Sequence, residues 1–181
     1  MYCYNRWLAV ASLAGLLACS PMGRAGQGMQ GKGRPSAKGI EEFVLAQGGR
    51  QLFMLPVAYT TAGPAKLKAD YTYRDSAQRP RSATLRVTVR ARRSYEVIDS
   101  AWALVGNERM DLGTAKALFT EAHGKEVHTR LEFNLDGAAA RNLMATAPPT
   151  LVLKAHGQAW VFTPTKKARK RLAGLAFYMA Q

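Results

Sequence analysis

Cysteine is nearly absent. Among 181 residues only Cys3 and Cys19 carry a thiol, and both lie at the very start of the chain. Everything after Cys19 therefore lacks an internal disulfide, a cysteine nucleophile and a thiolate zinc site. Histidine is scarce as well, with His123, His128 and His156 the complete set. Acidic residues number 12 against 26 lysines and arginines, giving a formal net charge of +14. Long apolar runs are missing too. The best one, Trp7 to Ala18, would cover about 18 Å as a helix at ~1.5 Å per residue, well short of the ~30 Å hydrocarbon core of a bilayer. No Gly-x-Ser-x-Gly, His-Glu-x-x-His or Gly-rich loop ending in Gly-Lys-Ser/Thr occurs, so the common hydrolase and nucleotide-binding signatures are absent.

What the start of the chain does contain is a positive charge at Arg6, an uncharged apolar run and small residues ahead of Cys19, the layout of a secretory signal sequence. Leu16, Leu17, Ala18, Cys19 and Ser20 resemble the lipobox of bacterial lipoproteins, with Leu17 bulkier than the small residue usual two places before the cysteine. The resemblance covers the leader alone. It implies cleavage after Ala18, acylation of Cys19 on its thiol and new amino terminus, and a membrane partner reached through that lipid. Two or more acyl chains are needed for stable attachment, at ~0.8 kcal/mol per buried methylene. Ser20 resembles the outer-membrane sorting class, so the expected place is the outer membrane facing the periplasm. The alternative is a periplasmic or secreted soluble protein cleaved near Ala18 or Ala25.

Cleavage would leave 163 residues, one ordinary domain and a tail, with 25 basic against 12 acidic side chains. An excess of +13 favours anionic partners by long-range attraction, and in an exported protein an acidic envelope component is expected rather than nucleic acid. Residues 19–39 read as a basic Gly/Pro-rich tether: Pro21, Gly23, Gly26, Gly28, Gly31, Gly33 and Pro35 accompany almost no large apolar side chain. Such a chain is expected to hold its domain about 25 Å from an anchor. Arg24, Lys32, Arg34 and Lys38 could lie on an anionic leaflet at ~1 kcal/mol each.

The domain is expected at 40–181. Two apolar bursts flank Gly48-Gly49, and the second contains Pro56, which predicts an edge strand or a bulge. Leu67, Ala69, Tyr71 and Tyr73 alternate with Lys68, Asp70, Thr72 and Arg74, as do Leu85, Val87 and Val89 with Arg86, Thr88 and Arg90. A loop is expected over 75–81. Strands over 95–105 and 108–112 flank Gly106-Asn107, and strands over 117–121 and 125–135 flank His123-Gly124. In the last of these, His128, Arg130 and Glu132 should face water, opposite Thr129, Leu131 and Phe133. Asp136 caps a predicted helix over 137–147 stopped by Pro148-Pro149, and strands over 150–155 and 158–162 enclose His156-Gly157. Thr163 or Thr165 caps a terminal helix whose Ala168, Leu172, Leu175, Ala176 and Met179 share a face. The fold class is thus mainly β (α+β), an antiparallel sheet or β-sandwich of short strands with one internal and one C-terminal helix.

The best candidate site is the run Lys166, Lys167, Arg169, Lys170 and Arg171, which concentrates five positive charges on the solvent side of that helix and is read as anion-binding. Arg90, Arg92 and Arg93 form a second basic cluster. Trp102, Trp160, Tyr71 and Tyr73 sit in strand patterns and are expected in the core. The three histidines, two beside turn glycines, are expected on the surface rather than around a metal, and Glu121 and Glu126 could face one another across a turn. No catalytic residue, metal or cofactor is expected. The functional expectation is a lipid-anchored envelope protein with a non-enzymatic binding or structural domain. The alternative is an exported accessory enzyme or inhibitor, which a polar pocket holding two histidines with acidic neighbours would favour.

Overall fold

Alternating side chains extend most of this chain, and glycine-containing turns return it on itself. The computed structural model describes residues 34–181 apart from 47, 77, 146 and 147. In order these form β1 (Arg34–Ala37), β2 (Ile40–Val44), β3 (Arg50–Thr60), β4 (Lys66–Ser76), β5 (Arg79–Ala91), β6 (Ser100–Val105), β7 (Glu108–Asp111), β8 (Lys116–His123), β9 (Glu126–Asp136), α1 (Gly137–Ala145), β10 (Thr150–Ala155), β11 (Gln158–Pro164) and α2 (Lys166–Met179). Nine strands pair in the order β7-β6-β10-β11-β3-β4-β5-β9-β8, with β2 added to β3 and β1 to β2. The pairing is antiparallel throughout. The mainly β architecture with an internal and a C-terminal helix is the one expected.

The core is the face on which the alternating apolar residues meet. Leu67, Ala69, Tyr71 and Tyr73 of β4 lie beside Leu85, Val87 and Val89 of β5 and Leu131 and Phe133 of β9, all buried. The helices contribute Leu143 from α1 and Ala168, Leu172, Leu175 and Met179 from α2 to the same core. α2 packs on β3, and α1 on β5, β9 and α2. One join is narrow. β11 bonds to β3 only through Thr163 with Thr60 and Pro164 with Tyr59, while β2 occupies the same edge of β3 from Arg50 to Met54. The sheet therefore forks at β3.

Several boundaries differ from the sequence reading, each for a local reason. β1 falls inside the stretch expected to be tether, because Gly39, at φ +88°, closes a hairpin that pairs it with β2. Pro56 lies in an interior strand and is accommodated by an irregularity between Met54 and Val57, which selects the bulge over the edge. The loop expected over 75–81 is mostly strand, held by an ion pair from Arg81 to Asp75 at 3.0 Å. Residues 95–99 are not strand, since the Tyr95 N–H donates to the Thr129 hydroxyl at 3.1 Å instead of a neighbouring strand. The polar face is drier than expected: Asp70 and Thr72 are buried, covered by neighbours such as Arg130, which reaches Asp70 at 2.7 Å.

Burial has a consequence at high pH. The phenols of Tyr59 and Tyr71 are 3.3 Å apart in the core, and burial pushes both well above their ordinary value, while Tyr95 is pushed up to about 12. Phenols whose proton is held more tightly in the folded state contribute stability that is complete below the unfolded value of about 10 and is lost as pH rises above it. We expect tyrosinate absorbance from these rings to appear together with the loss of the sheet's circular dichroism. Full titration of every tyrosine with an intact dichroism spectrum would contradict the burial described.

Candidate anion-binding site

β11 ends at the buried Pro164, and the next residue starts α2: the Thr165 hydroxyl accepts the Ala168 N–H at 3.2 Å. This cap sets the helix phase. Ala168, Leu172, Leu175 and Met179 turn to the sheet, so the interleaved basic residues must turn away. Lys166, Lys167, Arg169 and Lys170 are exposed. Arg171 is not left outside as expected. It is half-buried, its Nη1 donates to the Leu55 carbonyl at 3.2 Å, and its guanidinium covers Gly39 so closely that a Cβ there would collide with it.

Lys167, Lys170 and Arg171 meet Lys38 around a pocket of about 200 Å³ with Ile40 and Gly174 as its apolar walls. No acidic side chain lines it, and among the described residues none of these four cations has an ion pair. Lys166 and Arg169 lie elsewhere on the helix. Lys38 is the member that sequence reasoning missed, because glycine-rich composition assigned it to the tether. Close like charges with an apolar floor can hold a phosphate or carboxylate by charge and hydrogen bonding together.

The second basic cluster separates in space. Arg90 is half-buried within β5, whereas Arg92 and Arg93 are exposed beside a pocket that shares no lining residue with the one on α2. The aromatic expectation divides likewise. Tyr71 and Tyr73 are core, Trp102 is half-buried with the Arg109 guanidinium 4.1 Å from its ring centroid, and Trp160 is half-buried in the wall of the Arg92 pocket.

Two of the histidines come together. His123 and His128 stack at 4.2 Å between ring centroids, with Glu121 3.2 Å from His123 and Glu126 3.8 Å from His128. Glu121 and Glu126 do not face one another: Glu121 pairs in register with His128 and Glu126 with His123. This cluster occupies the end of the β8–β9 hairpin, while His156 lines the pocket with Arg92, whose lining includes neither His123 nor His128. Among the described residues, no three His, Cys, Asp or Glu side chains are grouped to hold a metal ion. No helix among them is long and apolar enough to cross a membrane. Cys19 lies outside the described residues. A scan against protein-family models, a search of curated proteins and a search of solved structures each find no match.

Proposed function

We propose that the chain is an exported, lipid-anchored envelope protein, acylated at Cys19, whose β-rich domain binds an anionic envelope component without chemical turnover. The observation that carries the binding half is the pocket in which Lys38, Lys167, Lys170 and Arg171 converge without an acidic partner. Its position supports the anchoring half. Lys38 follows directly on β1, and Arg34 lies 15 positions after Cys19, a reach of at most about 54 Å when fully extended. A membrane holding Cys19 would therefore leave this pocket within reach of its headgroups. Lys166, Lys170, Ala173 and Phe177 also recur at helical spacing and are all exposed, a basic stripe ending in an aromatic ring of the kind that rests on an anionic interface.

Intact-protein mass spectrometry of the membrane fraction should give a mature chain beginning at an acylated Cys19, and Cys19→Ala should release the protein from membranes. An unmodified Cys19 would remove the anchor. The unacylated Cys19→Ala chain should still sediment with vesicles containing phosphatidylglycerol, less so as salt is raised and not with phosphatidylcholine alone. Combining Lys38→Ala, Lys167→Ala and Lys170→Ala should abolish that sedimentation, and unchanged sedimentation would remove the pocket from the reading.

A further inference from the structure

A second pocket is built with more care than a solvated surface needs. β10 and β11 are joined by His156 and Gly157, at φ +54° and +74°. Two successive left-handed residues make the tight hairpin in which asparagine followed by glycine is favoured, and a histidine in that conformation costs about 1 kcal/mol. The imidazole is instead put to structural use. Nε2 donates to the Ser94 carbonyl at 2.7 Å, and the ring meets the edge of Tyr95 with centroids 6.4 Å apart. Tyr95 in turn packs edge-on to Trp160 at 6.3 Å. On its other side the indole presses on Gly63, where a Cβ would collide with Cζ3. The Trp160 ring is thus fixed in place while remaining partly exposed.

Different chemistry lies on either side of that ring. One side is a pocket of about 300 Å³ with the exposed Arg92 and Arg93 at its wall and no acidic residue lining it. On the other is a cleft of about 710 Å³ whose lining includes Thr60, Thr61, Gln158 and Thr163 together with Ala62, Pro64, Ala159 and Val161. The cleft exists because β11 joins β3 only at Thr163 and Pro164, leaving the stretch from Gln158 to Val161 diverging from the β3–β4 turn. Pro64, Gln158 and Trp160 line both spaces, so the two make one groove.

We propose that this groove binds an acidic oligosaccharide, with a carboxylate or phosphate at Arg92 and Arg93 and a sugar ring on Trp160. Paired guanidiniums recognise planar carboxylates and phosphates through forked donors. A fixed indole offers an apolar surface to the C–H face of a pyranose. Threonine hydroxyls and a glutamine amide both donate and accept, as sugar hydroxyls require. A nucleotide would also present a ring and a phosphate. The larger half of the groove, however, holds no aromatic side chain besides Trp160 and mixes Thr60, Thr61, Gln158 and Thr163 with the apolar Ala62, Pro64, Ala159 and Val161, a lining that suits the hydroxyls and C–H faces of further sugar rings better than a second stacked base. The inference is independent of the lipid anchor and of the pocket on α2.

Calorimetric titration of the full chain with tri-galacturonate tests it, with maltotriose, inorganic phosphate and uridine monophosphate as comparisons. Tri-galacturonate should bind and quench indole fluorescence; maltotriose should bind at least tenfold more weakly. Arg92→Gln and Arg93→Gln, at exposed positions that leave folding intact, should each weaken binding by about tenfold. Trp160→Phe should weaken binding and remove the quenching, while Trp102→Phe and Lys167→Ala should change neither. His156→Asn keeps the favoured turn chemistry but removes the ring that props Tyr95, so it should weaken binding without lowering stability. Equal affinity for maltotriose, competition by inorganic phosphate as strong as by the oligosaccharide, preference for uridine monophosphate, or insensitivity to both arginine substitutions would each overturn the proposal.

Discussion

Arg130→Met is expected to lower the stability of the domain by about 3 kcal/mol, at the lower end of what is lost when one member of a buried ion pair is removed. The size follows from what the substitution leaves behind. Asp70 is 2% exposed, and its Oδ2 accepts from Arg130 Nη2 at 2.7 Å, while its Oδ1 has no hydrogen-bond partner among the described residues. Without Arg130 neither oxygen is satisfied. Arg86 stands directly opposite Asp70 in the β4–β5 register, yet its guanidinium is held by Glu132 through Nε at 2.8 Å, so rescue would have to share it between two carboxylates. Arg130 also donates to the Thr88 hydroxyl at 2.8 Å, which fixes the guanidinium over β5. The double variant Asp70→Leu with Arg130→Met should lie much closer to wild type, because a bare buried carboxylate is more costly than a missing pair. Urea unfolding of the two single variants and the double completes the cycle. A loss below about 1 kcal/mol for Arg130→Met, the value of an exposed pair, would show that water reaches Asp70.

That ladder also marks the limit of what alternation reveals. The period-two pattern of β4, β5 and β9 correctly assigns each side chain to a face, and Gly106-Asn107 and His156-Gly157 are the turns of their hairpins, whereas the turn expected at His123-Gly124 falls one residue later, at Gly124-Lys125, with His123 ending β8. Polarity was a poor guide to wetness. Asp70 and Thr72 lie on the polar face of a central strand, where long side chains from the flanking strands exclude water regardless of sequence pattern. Strand order was illegible as well, since it arises from pairs such as β11 with β3 and β10 with β6 that are distant in the chain and carry no local signature.

The candidate sites divide in the same way. A run of charge in one helix is a local property, so Lys167, Lys170 and Arg171 were legible, but the selection of three from five depends on where β2 packs. Lys38 was hidden by composition, and the structural use of Arg171 by the absence of any sequence cue for the Leu55 carbonyl. The groove around Trp160 gathers its residues from the turn after β3, the loop after β5 and the hairpin between β10 and β11. Its one local hint was a histidine ahead of a turn glycine where asparagine is the usual residue.

Phe133→Ala should be the more damaging core substitution, with an expected loss of about 4 kcal/mol from the range of 3–5 for a buried phenylalanine. Phe133 is fully buried on β9, opposite the equally buried Leu85 of β5, with Leu131 and Leu135 two residues away on the same face. Phe133 belongs to the one core to which β4, β5, β9 and both helices contribute, so the cavity would open among close-packed, strand-borne side chains that resist collapse. Against a total stability of 5–15 kcal/mol, a loss of about 4 leaves a small domain marginal at best. Phe119→Ala on the adjacent edge strand β8 is the control: that ring is 40% exposed, and its removal should change stability by no more than about 0.5 kcal/mol. Urea midpoints measured on both variants decide the matter. Comparable losses would mean that β8 is covered in solution or that the core around Phe133 is looser than its burial implies. A large loss for Phe133 alone, with the unfolding slope unchanged, would identify the face shared by β4, β5 and β9 as the close-packed core of the domain.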